Sequence, residues 1–157
     1  MSSKPKVLNE LDRGYQQFHG PLEVLDDEAY GETWLGEWNL SQLLAHMVGW
    51  YREMLGAIER AGRGERPTPE GVDYGNADKW NATFAQEARP GREALREFEK
   101  AYAAYRAAAA ALPEAMFGFD AEKGRPLIGN RLLQGAGIGH FEEHQGELTA
   151  WLESRKG

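Results

Sequence analysis

The sequence predicts an all-α fold, a four-helix bundle with long crossover loops, on three observations. Apolar residues recur at spacings of three and four in four long stretches, the helical period. Asparagine, glycine and proline punctuate those stretches where helices start and stop. No segment shows sustained two-residue alternation with β-branched enrichment, so no strand is expected. The 157 residues suffice for one domain, 1–157, with a sizeable core, and are too few for two ordinary domains.

From Val7 to Phe18, the residues Val7, Leu8, Leu11, Tyr15 and Phe18 mark one buried stripe of a first helix. Gly20-Pro21 ends or kinks it, because proline lacks the N–H and crowds the preceding turn, and PLEVLDDEAY can add one further helical turn. Asn39 stands before the periodic run from Leu40 to about Ala61, where its side chain can cap the unpaired N–H groups of a second helix. AGRGERPTPEGVDYGN mixes glycine, proline and charge without periodicity and reads as a long loop. A third helix comes in two pieces, Ala77 to Ala88 and Pro90 to Leu112, with Pro90 suited to the first helical position. The second piece is rich in strong helix formers, and Leu95, Phe98, Tyr102 and Tyr105 mark its buried face, while its alanines permit close packing. Pro113 closes it, and residues 113–129 form the last loop.

Asn130 can cap a fourth helix from about Arg131 to Glu153. That helix opens with Gly135, Gly137 and Gly139, each costing about 1 kcal/mol relative to alanine in a helix interior. Two readings would offset the cost. The glycines permit close backbone contact or a local distortion, or their missing side chains leave a cavity above the histidines that follow. A nucleotide-binding loop is excluded, since no strand precedes them.

Composition narrows the chemistry. Twenty-five carboxylates against 18 lysines and arginines leave a formal charge of −7, which opposes a broad nucleic-acid footprint. Without cysteine, neither thiolate ligands nor a cysteine nucleophile is available, so any metal must be held by imidazole and carboxylate. The first residues lack an apolar core of signal-peptide length, and no run approaches the roughly 20 apolar residues of a membrane span. A soluble cytoplasmic protein is the default expectation.

His140 and His144 lie four apart on the fourth helix, one above the other, close enough to share a metal ion. His46 lies in the second turn of the second helix on its inward face, where a facing helix of a bundle can supply a third ligand. Three histidines leave coordination positions open, as catalytic zinc sites do. Glu147 lies about 20° from the His140 direction and is a candidate partner for a ligand histidine or an additional oxygen ligand. Glu53 stands two turns beyond His46; it is equally placed to be solvated or paired with arginine. Trp34, Trp50, Tyr51 and Trp80 are candidates to line a ligand pocket, with the alternative that each simply fills core.

WNLSQLLAHMVGW resembles the second-helix motif of the DinB-like superfamily of four-helix bundles (DinB/YfiT-like), and IGNRLLQGAGIGHFEEHQGELTAW resembles its last helix. DKWNATFAQE, ALPEAMF and the Gly-Asn pair before the last helix look like the ClbS/DfsB branch, and the resemblance spans essentially the whole chain. It implies a bundle in which one histidine of the second helix and two of the last bind a divalent metal, commonly zinc or nickel; by motif position these are His46, His140 and His144. It also implies chemistry on small molecules, from thiol-dependent transfer and isomerisation with mycothiol or bacillithiol to opening of a genotoxin's cyclopropane, and frequent dimerisation. The ClbS/DfsB branch is not uniformly metal-dependent, and Phe141 stands where a tyrosine is common.

The leading expectation is therefore an enzyme whose three histidines hold a divalent ion that activates water, or a low-molecular-weight thiol, for attack on an electrophilic small molecule, in a hydrolase or thiol transferase serving detoxification, resistance or a stress response. The alternative is a non-catalytic protein that binds or sequesters a small molecule in the bundle cavity. A homodimer is expected; membrane association is not, and nucleic acid fits the acidic charge poorly.

Overall fold

The three-and-four spacing of the first stretch buries Val7, Leu8, Leu11 and Phe18 on one face of α1 (Ser3–His19) in the computed structural model, which describes residues 3–156. The expected extra turn after Gly20-Pro21 is two elements rather than one. A 3₁₀ turn (Gly20–Val24) ends at the extended residue Leu25, and α2 (Asp27–Tyr30) restarts because the Asp26 carboxylate accepts from the Ala29 N–H at 3.0 Å. Tyr30 ties the two together, its hydroxyl donating to the Leu22 carbonyl at 2.8 Å.

A short hairpin, β1 (Thr33–Leu35) with β2 (Trp38–Asn39), delivers the chain to α3 (Leu40–Gly62). Asn39 makes a full capping box: its side chain accepts from the Gln42 N–H, and the Gln42 side chain accepts from the Asn39 N–H, both at 2.9 Å. After the loop at 63–76, α4 (Ala77–Ala85) is capped by Asn76. Its Phe84 ring lies on Gly49 of α3 so closely that a Cβ there would meet the ring at 2.1 Å.

α5 (Arg92–Ala110) begins later than expected. Gly91, with φ at +54°, is the residue at its N-terminal boundary, and Pro90 stands one position before it rather than in the first turn. The Asp27 carboxylate, accepting from the Arg92 N–H at 2.9 Å, fixes this start to α2.

A second hairpin, β3 (Phe119–Asp120) with β4 (Arg125–Pro126), leads into α6 (Ile128–Leu133), a wide π turn (Gln134–Ile138) and α7 (Gly139–Lys156). The sequence reading missed both hairpins, since two or three residues are too few to show alternation. Asn130 is not the cap of the last helix. That helix starts at Ile128, and the Asn130 side chain instead accepts from the Gly118 N–H at 2.9 Å, holding the preceding loop.

The four long helical segments form a bundle, with α3 packed on α4 and α5, and α1 on α6 and α7. Its centre is aromatic: Tyr15 stacks on Tyr102 at 3.9 Å and Tyr51 on Tyr105 at 5.0 Å, with Phe18, Phe98 and Phe141 between. Such pairs add about 0.5–1.5 kcal/mol each beyond the area they bury. Asp12 ties α1 to α5, accepting from Tyr102 at 2.7 Å and from Arg106 at 3.0 Å. Among the described residues, no helix is long and apolar enough to cross a membrane.

Candidate metal centre

The capped start of α3 and the restart of the last helix after its wide turn bring three imidazoles together. His46, His140 and His144 are buried, at 2%, 7% and 8% exposure, and each offers a nitrogen within 4.8 Å of the others. Their rings meet edge to face, His46 against His140 at 4.6 Å and against His144 at 5.3 Å.

The proton positions follow from the partners. His46 Nδ1 lies 2.8 Å from the Leu43 carbonyl and His140 Nδ1 3.2 Å from the Ala136 carbonyl. A carbonyl only accepts, so both Nδ1 atoms carry hydrogen and donate. His144 Nδ1 lies 3.1 Å from the Glu147 carboxylate, which likewise accepts. In the neutral rings all three Nε2 atoms are then bare lone pairs.

Two of them face each other: His46 Nε2 and His140 Nε2 are 2.8 Å apart. The third, His144 Nε2, is buried without a hydrogen-bond partner among the described residues. Lone pairs so placed repel unless a cation lies among them. A proton is disfavoured, because burial and the neighbouring histidine His144 push His46 down to about 4, and burial with both neighbours pushes His140 down to about 3. A divalent ion suited to imidazole fits this donor set: three unprotonated nitrogens, tautomers fixed from behind, one lacking any other partner.

The glycines each answer to a different demand. At Gly139 the N–H bonds to the Gln134 carbonyl, the i→i+5 bond of the π turn, and a Cβ would meet that oxygen at 2.8 Å. At Gly137 a Cβ would meet Leu11 at 2.6 Å and the Tyr105 hydroxyl at 2.9 Å. That hydroxyl donates to the Leu132 carbonyl at 2.7 Å, anchoring the distorted segment to α5. Gly135 has open space beside it and lines a cleft of about 490 Å³ that opens onto the histidines. Close contact, local distortion and a cavity are all present, one at each glycine.

Of the four candidate pocket aromatics, Trp50 lines this cleft, its indole N–H donating to Asn81 at 2.6 Å. The others do not. Trp80 packs behind Trp50 at 6.0 Å and donates to the Asp73 carbonyl. Tyr51 is fully buried among Tyr102, Tyr105 and Phe98, because its place on α3 faces α5 rather than the last helix. Trp34 stacks flat on Trp151 at 4.6 Å, lower on α7. Glu53 is not grouped with the histidines; it accepts from the hydroxyl of the cleft-lining Tyr74 at 3.1 Å. Trp38, 5.1 Å from the His46 ring, together with Tyr74, Asp78 and Glu143, completes the cleft; none was picked out from sequence. Glu143, inside HFEEH, could have been found by its helical spacing of three from His140. Phe141 points the other way, into the core against Gly14 of α1.

Residues 7–117 match the family described as the mycothiol maleylpyruvate isomerase N-terminal domain. No curated protein sequence matches. Among solved structures, the mycothiol-dependent maleylpyruvate isomerase superposes with a TM-score of 0.70 at 19% identity, covering 92% of this chain and 60% of that one. The chain thus spans about three fifths of that protein's length. The colibactin self-resistance protein ClbS, solved in complex with a dsDNA, superposes with a TM-score of 0.78 at 14% identity, covering 98% of this chain and 97% of that one. DfsB, described as a sibling lethal factor precursor, gives 0.78 at 16% identity, covering 99% and 98%. At these identities the likeness establishes the bundle fold.

Proposed function

Because the chain belongs to the mycothiol maleylpyruvate isomerase N-terminal domain family, within the DinB-like superfamily and with ClbS and DfsB among its structural neighbours, we propose that it is a divalent-metal-dependent enzyme acting on an electrophilic small molecule. The observation that carries this reading is the convergence of three bare Nε2 atoms, one of them buried with no other partner. His46, His140 and His144 would hold the ion, zinc or nickel by donor type. When bound, such an ion lowers the pKa of a coordinated water or small thiol, so that a nucleophile is available near neutral pH.

The remaining roles belong to the chain. The Leu43 and Ala136 carbonyls and the Glu147 carboxylate hold the three rings in the tautomer that presents Nε2 inward. Burial keeps His46 and His140 unprotonated at neutral pH. Trp38 and Trp50 flank the approach and exclude part of the water from it. A hydrolase and a thiol S-transferase are both compatible with this arrangement, and detoxification or stress response is the role proposed with them.

A second reading, sequestration of a small molecule without turnover, is favoured by the aromatic walls of the cleft. A ligand recovered unchanged after long incubation with the metal-loaded protein would select it. DNA binding is not carried over from ClbS, given a formal charge of −7. The reading includes a homodimer through α5, where Ala103, Ala104 and Ala107 are exposed small residues. Light scattering should return twice the chain mass; monomer mass would remove the dimer and leave the site.

The test of the metal site is elemental analysis of protein purified without an affinity tag. Wild type should carry about one equivalent of metal and His144→Ala much less, since losing one of three ligands removes a third of the donor set. Equal metal content in the two would refute the site.

A further inference from the structure

The cleft above the histidines carries charge of one sign. Asp78, in the first turn of α4, and Glu143, on α7, stand exposed at its rim, and no lysine or arginine is among its described lining residues. Two more carboxylates lie just behind the lining: Glu147 holds His144, and Glu53 accepts from Tyr74. Arg60 lies beside Tyr74 and donates to the Pro67 carbonyl, which leaves its positive charge standing behind the lining. Four carboxylates outnumber the positive charge of Arg60 together with the two that a divalent ion would bring. The walls are apolar and flat-faced, built from Trp38, Trp50, Met54 and Tyr74, and Gly135 leaves one side open to bare backbone.

Resting on the functional reading above, we propose that the cleft selects a neutral or cationic small molecule with a flat unsaturated body, and that Asp78 and Glu143 are the residues that turn away carboxylates and phosphates. Aromatic faces attract both planar apolar groups and cations, the latter through the ring quadrupole. Anions meet those same faces unfavourably and find no lysine or arginine among the described lining residues. The volume, about 490 Å³, suits a ligand of small-molecule size. Since both rim carboxylates are exposed, the selection acts through screened Coulomb forces and should weaken as salt is added.

The experiment uses three probes of one shape: benzyltrimethylammonium, benzyl alcohol and benzoate. Each is titrated at low salt into metal-free and zinc-loaded protein, with tryptophan fluorescence as the readout. In metal-free protein the cation should bind about tenfold more tightly than benzoate, with the alcohol between. In the Asp78→Asn, Glu143→Gln double variant that ratio should approach one, while zinc uptake stays at the wild-type level. Gly135→Leu should abolish binding of all three probes and keep zinc. Benzoate binding as tightly as the cation, a preference that survives in the double variant, probe binding untouched by Gly135→Leu, or no saturable binding at all would each overturn the inference. Absence of zinc uptake would defeat the functional reading instead, and the charge preference would still be read on metal-free protein.

Discussion

Each imidazole of the site is held by one ring nitrogen and presented by the other, and this division makes two behaviours measurable. Unfolding returns His46 and His140 to water, where the ordinary value is 6.5, from folded values of about 4 and about 3. The unfolded chain therefore binds more protons below pH 6.5. For metal-free protein, stability is fully held above that pH and falls as acid is added, by on the order of 1.4 kcal/mol per pH unit for each histidine. The His46 share levels off near pH 4 and the His140 share near pH 3. Urea midpoints measured from pH 7.5 to pH 4 should trace this decline, and double substitution of both histidines by glutamine should flatten it. The second behaviour concerns Glu147. It fixes the His144 ring from outside the cluster, so Glu147→Gln should weaken zinc affinity by about 10- to 100-fold without changing far-UV circular dichroism. An unchanged affinity would make the contact incidental.

At the level of elements, the last helix is one long segment with a wide turn inside it, and its glycines separate cleanly by what surrounds them. Gly137→Ala would drive a methyl group into Leu11 and the Tyr105 hydroxyl, and should cost about 1–3 kcal/mol in chemical denaturation. Gly146→Ala, exposed on α7 with open space around it, should stabilise by about 0.5–1 kcal/mol in the same assay. If both substitutions had the same sign, packing would not be the reason for Gly137. The same contrast explains what could be read beforehand. Asn39 was legible as a cap because cap and periodic run adjoin in sequence. Asn130 looked identical in sequence, yet its partner is the Gly118 N–H, twelve positions back across a hairpin, and nothing local announces that. The three glycines announced a departure from α geometry but could not say which of them faced a neighbouring helix, which a carbonyl and which a cavity.

For the molecule as a whole, helical period and the spacing of three histidines carried the bundle and the convergence of the site, because both depend on which face of a helix is buried. The cleft depends on something else. Tyr74 comes from an aperiodic loop and Trp38 from a two-residue strand, and both reach the site only through the path of the connections. Tyr51 lies about 140° around α3 from His46, and that angle turns it to α5, which claims it for the core. Periodicity reports inward against outward; it does not report which neighbour lies inward.

The wide turn at Gln134–Ile138 spends one more residue than a regular helix would between Leu133 and His140. A helix advances about 100° per residue and the wide turn absorbs that extra step, so tightening it to ordinary winding with all its residues kept would swing both downstream imidazoles about 100° away from His46. The helix itself would become more regular, not less. The grouping of the three histidines thus depends on the last helix being irregular at this one turn.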